Sequence, residues 1–382
     1  MDHTNMQVIG WVAAALVTAM LVALITTPVV RSLAIRMGAV DVPRDGRRMH
    51  DHPIPRMGGL AIFFGFILST IIYVELTPEL QGMLLGAVII VVLGIFDDIY
   101  ALGAKLKLAV QIVAALVAVL SGNLIQVVSN PNIFSPDFWW DLGWLSVPCT
   151  VLWIVAITNA VNLIDGLDGL ACGVSTISSM TMLVISLVVA DGPVAVVMAA
   201  LAGGCIGFLP YNLNPAKIFM GDTGSTFLGF VLAVMSIQGL FKFYTIISFA
   251  VPFLMLGLPI FDTCFAFIRR IAHGQSPMHP DRSHIHHRLI DMGFTQKQAV
   301  AVLYIISAIL GLCAVVLTTS SALRAMLLLL ALCAAGALSG KIFLSGAEKR
   351  REGPQTGEGP EKKKEPLSGA EQTEKEEEER EP

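Results

Sequence analysis

The segment Asn159–Gly169 reads NAVNLIDGLDG, and it decides how the rest of the chain is interpreted. One apolar run ends just before this segment and another begins at Leu170, so Asp165 and Asp168 lie between two hydrophobic stretches. Carboxylates close to a lipid phase are costly, and they usually serve a function. The alternative is an ordinary polar turn that uses the glycines of the segment. The remainder of the chain distinguishes the two interpretations.

The composition is that of an integral membrane protein. Of the 382 residues, 55% are hydrophobic and only 14% are charged, and the mean hydropathy is +0.72. A soluble domain carries about 25% charged residues. The stretch from Gly346 onward holds 8 basic and 12 acidic residues, which accounts for the net charge of −4. We therefore predict a transmembrane domain in residues 1–345 and a disordered, charged cytoplasmic tail in residues 346–382.

Apolar runs of spanning length predict an all-α, polytopic fold. A helix that crosses a bilayer needs about 20 residues. By this rule the chain contains about eleven transmembrane helices. The predicted spans are Val8–Ile25, Met57–Val74, Gln81–Phe96, Leu106–Leu120, Ser146–Asn162, Leu170–Val189, Pro193–Leu209, Ser225–Ile237, Thr245–Ile268, Lys297–Thr318 and Ala322–Leu344. The segment Val29–Val40 extends the first helix or lies along the membrane interface.

The distribution of lysine and arginine orients these spans. With the N-terminus outside, one set of loops holds fourteen basic residues, and the other holds only Lys242 and Arg324. Cytoplasmic loops carry the excess of basic residues in membrane proteins. We therefore predict an outside N-terminus and a cytoplasmic C-terminus in a multi-pass membrane protein.

Carboxylates, amides and histidines collect on the same predicted cytoplasmic side. Seven of the eight histidines lie in these loops, and so do Asp97, Asp98 and Asp222. A transporter places its binding groups near the membrane midplane and uses both faces. The clustering on one side instead predicts a membrane enzyme with a cytoplasmic active site. A nucleotide-sugar or lipid transporter is the alternative outside the enzymes.

The residue types in these loops favour metal-assisted phosphoryl transfer. Clustered Asp and Asn suit Mg²⁺, with Mn²⁺ as an alternative, because hard cations take oxygen ligands. Arginine, lysine and histidine suit phosphate. Structural alternatives exist for each group: Asp97 and Asp98 could end a helix in solvent, and Asp222 could cap the helix that follows. The HIHH sequence at His284–His287 does not match a standard zinc spacing.

Five motifs, in this order, resemble the polyprenyl-phosphate N-acetylhexosamine-1-phosphate transferase family. Together they cover the whole apolar part of the chain. The motifs are RRMHDHPIPRMGG (Arg47–Gly59), GIFDD (Gly94–Asp98), NAVNLIDGLDGL (Asn159–Leu170), YNLNPAKIFMGDTGS (Tyr211–Ser225) and PDRSHIHHRL (Pro280–Leu289). Enzymes of this family move a sugar-1-phosphate from a UDP-sugar to a polyprenyl phosphate and release UMP.

The resemblance implies a role for each matching residue. It implies that the catalytic residues are Asp97, Asp98 and Asp222. It implies that Mg²⁺ is held by Asp222 and Asn162. It places Asp165, Asp168 and Asn212 on the nucleoside side of the pocket, and it places Lys107 beside the diphosphate. It also implies that a loop closes over the UDP-sugar and that this loop contains Arg282, His284, His286 and His287.

The HIHH sequence resembles the branch that uses UDP-GlcNAc and undecaprenyl phosphate, which starts a cell-envelope glycan such as teichoic acid or O-antigen. The alternative is the branch that transfers phospho-MurNAc-pentapeptide in peptidoglycan synthesis, whose loop has an uninterrupted run of histidines. The expected partners are UDP-GlcNAc, undecaprenyl phosphate and the lipid bilayer, with a second copy in a homodimer as an additional expectation. No nucleic-acid partner is expected.

Overall fold

The computed structural model describes residues 3–42, 52–129, 139–189, 191–241, 250–272, 274 and 284–319. These residues form mainly helices. The helices are α1 (His3–Arg36), α2 (Gly59–Tyr73), α3 (Pro78–Tyr100), α4 (Ala104–Leu120), α5 (Ser146–Leu163), α6 (Leu170–Val188), α7 (Gly192–Asn212), α8 (Gly221–Ser236), α9 (Ala250–Met255), α10 (Gly257–Ala272), α11 (Ile285–Asp291) and α12 (Gln296–Thr319). The predicted span Ala322–Leu344, the charged tail and Arg282 lie outside the described residues.

Two short antiparallel strand pairs accompany the helices, which the sequence did not lead us to expect. Strand β1 (Val40–Asp41) pairs with β2 (Ile54–Pro55), and β3 (Val127–Ser129) pairs with β4 (Trp139–Asp141). Pairs of two or three residues are too short to produce a recognisable alternation of apolar and polar residues. The fold is nevertheless that of an α-helical protein, as predicted.

The predicted spans within the described residues coincide with helices, with one difference. The stretch Thr245–Ile268 was predicted as a single span, but its described part consists of α9 and α10, which meet at Leu256. Pro259 explains the break, because proline lacks a backbone N–H and its ring collides with the carbonyl four residues earlier. At the other end of the chain, α1 continues through Pro28 to Arg36 as one helix of 34 residues.

Several helices have the length and composition of membrane spans. In the described part of the chain, six helical segments are long and apolar enough to cross a bilayer. They are Met6–Arg36, Pro78–Tyr100, Gly143–Leu163, Leu170–Val188, Gly192–Asn212 and Gln296–Thr318. The protein is therefore an α-helical, multi-pass membrane protein, whereas the number of eleven spans and the orientation stay predictions.

Helices α7 and α8 form the centre of the bundle. Every residue of α8 from Thr223 to Ser236 is buried, and most of α7 is buried as well. Helix α7 packs against α1, α2 and α6, whereas α8 packs against α3 and α5. Helices with apolar residues on all sides are suited to such central positions.

One close helix contact brings α3 onto the beginning of α8. Gly94 of α3 lies against the backbone of Thr223, where a Cβ atom on residue 94 would overlap with the Thr223 Cα. Only glycine allows two backbones to approach this closely. The contact matters because the next turn of α3 carries Asp97 and Asp98, whereas the first turn of α8 carries Asp222. Residues far apart in the sequence therefore meet at one end of the bundle.

Candidate active site

A polar cavity of about 480 Å³ opens where α5 and α7 end and α8 begins. Its walls include six of the predicted site residues, which are Asn162, Asp165, Asp168, Asn212, Asp222 and His287. Asp97, Asp98 and Lys107 do not line the cavity. Lys107 is joined to it through a hydrogen bond to the Asp222 carboxylate, Asp98 through one from the Asp222 backbone N–H, and Asp97 through Lys107. The sequence prediction that these groups share one face of the protein therefore agrees with the geometry.

The carboxylate of Asp98 ties α3 to the first turn of α8. One oxygen accepts a hydrogen bond from the backbone N–H of Asp222, at 3.0 Å. The other accepts hydrogen bonds from the backbone N–H and the hydroxyl of Thr223, at 3.1 and 2.6 Å. A helix begins with backbone N–H groups that lack partners, and a carboxylate at this position satisfies them. Asp98 thus fixes where Asp222 lies, although its predicted catalytic role is not tested by this contact.

Lys107 joins two of the predicted aspartates. Its Nζ atom, at the first turn of α4, lies 2.8 Å from Asp97 Oδ2 and 3.0 Å from Asp222 Oδ2. Asp97 also accepts a hydrogen bond from the backbone N–H of Leu102, at 2.7 Å. The side chains of Lys107 and Asp222 are 28% and 29% exposed, so both are accessible from solvent. An ammonium group held between two carboxylates at the edge of a cavity is suited to meeting a phosphate.

Oxygen atoms suited to a hard cation line the same cavity. Asn162 Oδ1 accepts a hydrogen bond of 2.6 Å from the hydroxyl of Ser225, one turn along α8 from Asp222. Asn212 Oδ1 is buried and has no hydrogen-bond partner among the described residues, although the Nδ2 group donates to the Ile218 carbonyl. The amide oxygens of Asn162 and Asn212 and the carboxylate of Asp222 can therefore accept a hydrogen bond from a ligand or bind a cation.

Asp165 and Asp168, in the turn between α5 and α6, have different surroundings. Burial, followed by the nearby charges of Asp222 and Asp98, raises the pKa of Asp165 to about 8. Asp165 is therefore mostly neutral at pH 7 and can donate a hydrogen bond. Asp168 instead accepts hydrogen bonds from the Asn214 side chain, at 2.9 Å, and from the backbone N–H of Ala216, at 3.0 Å.

The histidines of the HIHH sequence lie at the start of α11, with His284 directly before the helix and His286 and His287 in its first turn, and they have separate environments. His284 Nδ1 lies 2.8 Å from Asp262 Oδ2, and both residues are buried. His286 is also buried, and this burial, with a smaller effect of His287, lowers the pKa of His286 to about 3. His287 alone of the three lines the polar cavity. The fourth predicted residue of this loop, Arg282, lies outside the described residues.

Several cavity residues were not among the predicted site residues. They are Asp41, His52, Arg56, Asn214 and Gln296. Asp41 belongs to β1, and His52 lies two residues before β2. The Nη2 atom of Arg56 lies 3.7 Å from Asp41 Oδ1. Arg56 belongs to the motif Arg47–Gly59 of the family resemblance, and its position within that motif was the available signal. Nothing in the sequence distinguishes Asp41 or Gln296 from ordinary surface residues.

Known proteins similar to this chain share much of its length. The sequence model of glycosyl transferase family 4 matches residues 80–240. A probable undecaprenyl-phosphate N-acetylglucosaminyl 1-phosphate transferase of Bacillus subtilis is 45% identical over 315 residues, which covers 81% of this chain and 86% of that protein.

More distant relatives have similar names. A decaprenyl-phosphate N-acetylglucosaminephosphotransferase of Mycolicibacterium smegmatis is 35% identical over 316 residues, which is 75% of this chain and 77% of that protein. An undecaprenyl-phosphate alpha-N-acetylglucosaminyl 1-phosphate transferase of Yersinia pestis is 30% identical over 294 residues, covering 75% of this chain and 79% of that protein. The similarity therefore extends over most of the described helices.

Proposed function

This chain belongs to glycosyl transferase family 4, and we propose that it transfers N-acetylglucosamine-1-phosphate from UDP-GlcNAc to undecaprenyl phosphate and releases UMP. The geometric observation that carries this proposal is the meeting of Asp97, Lys107 and Asp222 at the rim of a polar cavity. The cavity lies at the end of apolar helices, where a water-soluble donor and a lipid acceptor can reach the same groups. The names of the relatives supply the sugar and the lipid.

The proposed reaction is a direct displacement at the β-phosphorus of the donor. An oxygen of the lipid phosphate forms a bond to this phosphorus, and the bond to the oxygen shared with the α-phosphorus breaks, which releases UMP. A phosphate monoester is largely dianionic at pH 7 because its second pKa is about 6, so a strong general base is not required. Asp97 orients the lipid phosphate or accepts its remaining proton, and Lys107 offsets the charge of the diphosphate.

We also propose a magnesium ion in this site. Mg²⁺ in proteins is usually held by one or two carboxylates together with substrate phosphates and water. Asp222 and Asn162 fit this requirement because both line the cavity and present oxygen atoms. The described residues contain no cluster of three or more His, Cys, Asp or Glu side chains arranged to hold a metal, so the substrate phosphates would complete the coordination. When bound, the cation would neutralise charge on the diphosphate.

The remaining walls suit the other parts of the donor. Neutral Asp165 and the amides of Asn212 and Asn214 offer hydrogen bonds of the kind that a uracil ring requires. Asp168 holds Asn214 and the following turn in place, so its contribution to the nucleoside side is partly through that contact. Arg56 and His287 also line the cavity, and they offer positive or hydrogen-bonding groups to phosphate.

The proposed location is the bacterial plasma membrane, with the cavity facing the cytoplasm. The basic residues predicted to be cytoplasmic include Arg56 and Lys107, and both lie at or beside the cavity. The positive-inside rule supports this orientation. A cavity on the cytoplasmic side would also be open to water-soluble nucleotide sugars in the cytoplasm.

A membrane-fraction assay tests the donor and acceptor together. Membranes that contain the protein are incubated with labelled UDP-GlcNAc, UDP-GalNAc or UDP-MurNAc-pentapeptide, and UMP release is measured. We expect release with UDP-GlcNAc that requires added undecaprenyl phosphate. A preference for UDP-MurNAc-pentapeptide would assign the chain to the peptidoglycan branch, and release without lipid acceptor would contradict the transferase proposal.

Removal of divalent cations should stop the reaction. We expect EDTA to reduce UMP release to background and added Mg²⁺ to restore it, because the diphosphate charge is otherwise not neutralised. Binding of UDP-GlcNAc, followed as a shift in the thermal unfolding midpoint, should likewise depend on Mg²⁺. Unchanged turnover after extensive chelation would exclude a required metal.

The pKa of Asp165 predicts a pH dependence that a single variant can identify. Below pH about 8 the wild-type carboxyl is mostly protonated and neutral. As the pH rises through this value, the group becomes negatively charged beside the donor diphosphate. We expect kcat/KM for UDP-GlcNAc to be about tenfold lower at pH 9 than at pH 7 because of this ionisation. In Asp165→Asn the neutral amide persists, so this decrease should be absent, and its effect at pH 7 should be on KM rather than kcat. Identical pH profiles in the two proteins would contradict the assignment.

A further inference from the structure

A buried carboxylate outside the cavity holds the histidine-bearing helix α11. Asp262 of α10 is 2% exposed and uses both of its oxygens. One lies 2.8 Å from His284 Nδ1, and the other accepts a hydrogen bond of 2.8 Å from the backbone N–H of Ile285, the first residue of α11. The Asp262 side chain thus holds both the His284 ring and the first residue of α11. Asp262 does not line the cavity, and the proposed reaction does not use it.

A second contact between α10 and α11 lies on the same side. The guanidinium of Arg288 lies 5.0 Å from the centre of the Phe265 ring, in a cation–π arrangement. Phe265 follows Asp262 by three residues, so the two lie on the same face of α10. Helix α10 therefore presents one charged and one aromatic contact to α11, and these contacts fix both its position and its rotation.

The opposite side of α11 rests on the cavity wall. The His286 ring packs directly on Gly166, where a Cβ atom would overlap with His286 Nε2. The rings of His284 and His286 are stacked with their centres 5.7 Å apart and a tilt of only 5°. The ring of His287 follows, with its centre 4.2 Å from that of His286. A continuous row of rings therefore runs from Asp262 to the cavity.

We propose that Asp262 is a positioning residue that sets where His287 stands in the donor cavity. The proposal rests on the function assigned above, since His287 is the member of the row that lines the cavity. Asp262 acts through His284 and the start of α11 and does not itself touch the donor. Loss of its carboxylate leaves the His284 ring and the Ile285 N–H without these acceptors, so the start of α11 is no longer held in one position.

Replacement of Asp262 should weaken the donor site specifically. In Asp262→Leu we expect KM for UDP-GlcNAc to rise about tenfold or more, and kcat/KM to fall by up to about 100-fold, because small misplacements of a positioned group have effects of this size. KM for undecaprenyl phosphate should be unchanged. The matched control is Thr263→Val, the adjacent position of α10, where the buried hydroxyl has no hydrogen-bond partner in the described structure. This variant should retain wild-type kinetics.

A double-mutant cycle separates positioning from general damage. If Asp262 acts through His287, then Asp262→Leu combined with His287→Ala should be no worse than the more severe single variant. Effects that multiply, or equal losses for both substrates, would overturn the proposal. If Asp262→Leu does not fold, then Asp262→Asn and His284→Phe remove the same contact more gently and are judged by the same cycle.

The wild-type enzyme distinguishes this proposal from the proposed function. If wild-type membranes release no UMP from UDP-GlcNAc and undecaprenyl phosphate, the proposed function itself fails. If the wild type is active and the Asp262 and His284 variants have wild-type KM for UDP-GlcNAc, only the positioning role is wrong.

Discussion

Asp222→Asn is expected to lower the rate of sugar-phosphate transfer by about 1,000-fold, which is the size of loss seen when a group that stabilises developing charge is removed. Asp222 combines three observations in one residue. It lines the polar cavity, it lies 3.0 Å from Lys107 Nζ, and its backbone is fixed by Asp98. The amide keeps the size of the side chain but removes the charge that the metal and Lys107 require. The measurement is UMP release per unit of folded protein in membranes.

The matched control is Asp141→Asn in strand β4. Asp141 accepts a hydrogen bond from the Gly143 backbone, just before the start of α5. The cavity lies at the other end of α5, which is 18 residues long and therefore spans about 27 Å. The control should be fully active. Substantial activity of Asp222→Asn in protein that inserts normally would remove Asp222 from the catalytic centre.

Asp98→Asn is expected to reduce transfer by about 100-fold for a different reason, the displacement of a positioned group. The wild-type carboxylate accepts three hydrogen bonds from Asp222 and Thr223. An amide has only one accepting oxygen, and its NH₂ group would face a backbone N–H of α8. Loss of such a bond to a buried group costs about 1–3 kcal/mol, so the midpoint of thermal unfolding should fall as well.

Thr223→Ser provides the comparison for this prediction. Serine keeps the hydroxyl that donates to Asp98 Oδ2, so the contact between α3 and α8 should persist and the enzyme should remain active. Wild-type kinetics in Asp98→Asn would show that the carboxylate is not needed to place Asp222. A loss of activity with no change in the unfolding midpoint would instead favour the direct catalytic role that the family resemblance implies.

Much of the site can be predicted from sequence because membrane topology constrains it. Apolar spans of known length alternate sides, so Asn162, Asp165 and Asp222 are placed on one face before any coordinates are known. Their presence on one cavity wall agrees with that expectation. The motifs supplied the family, and the similarity to known transferases confirms it.

The sequence could not predict how these groups are held. Asp98 was identified as a member of an acidic pair, but its hydrogen bonds join α3 to a helix start that lies more than 120 residues later in the chain. Asp262 is a single carboxylate within an apolar run, which is a signal of function in a membrane span. Its partner, His284, lies 22 residues later in the chain, and no local pattern joins the two. Asp41 reaches the cavity through a two-residue strand that no periodicity indicates. Contacts between distant segments depend on packing, and local patterns do not encode them.

We propose that the chain transfers a phosphorylated sugar and not the sugar alone, and the fate of one phosphorus atom distinguishes these two reactions. Purified protein is given UDP-GlcNAc labelled with ³²P at the β-phosphorus, together with undecaprenyl phosphate and Mg²⁺. We predict that the label moves into the lipid fraction, that the released nucleotide is unlabelled UMP, and that Asp222→Asn does neither. Label that stays in the aqueous phase as UDP while GlcNAc enters the lipid would contradict the transfer of sugar-phosphate.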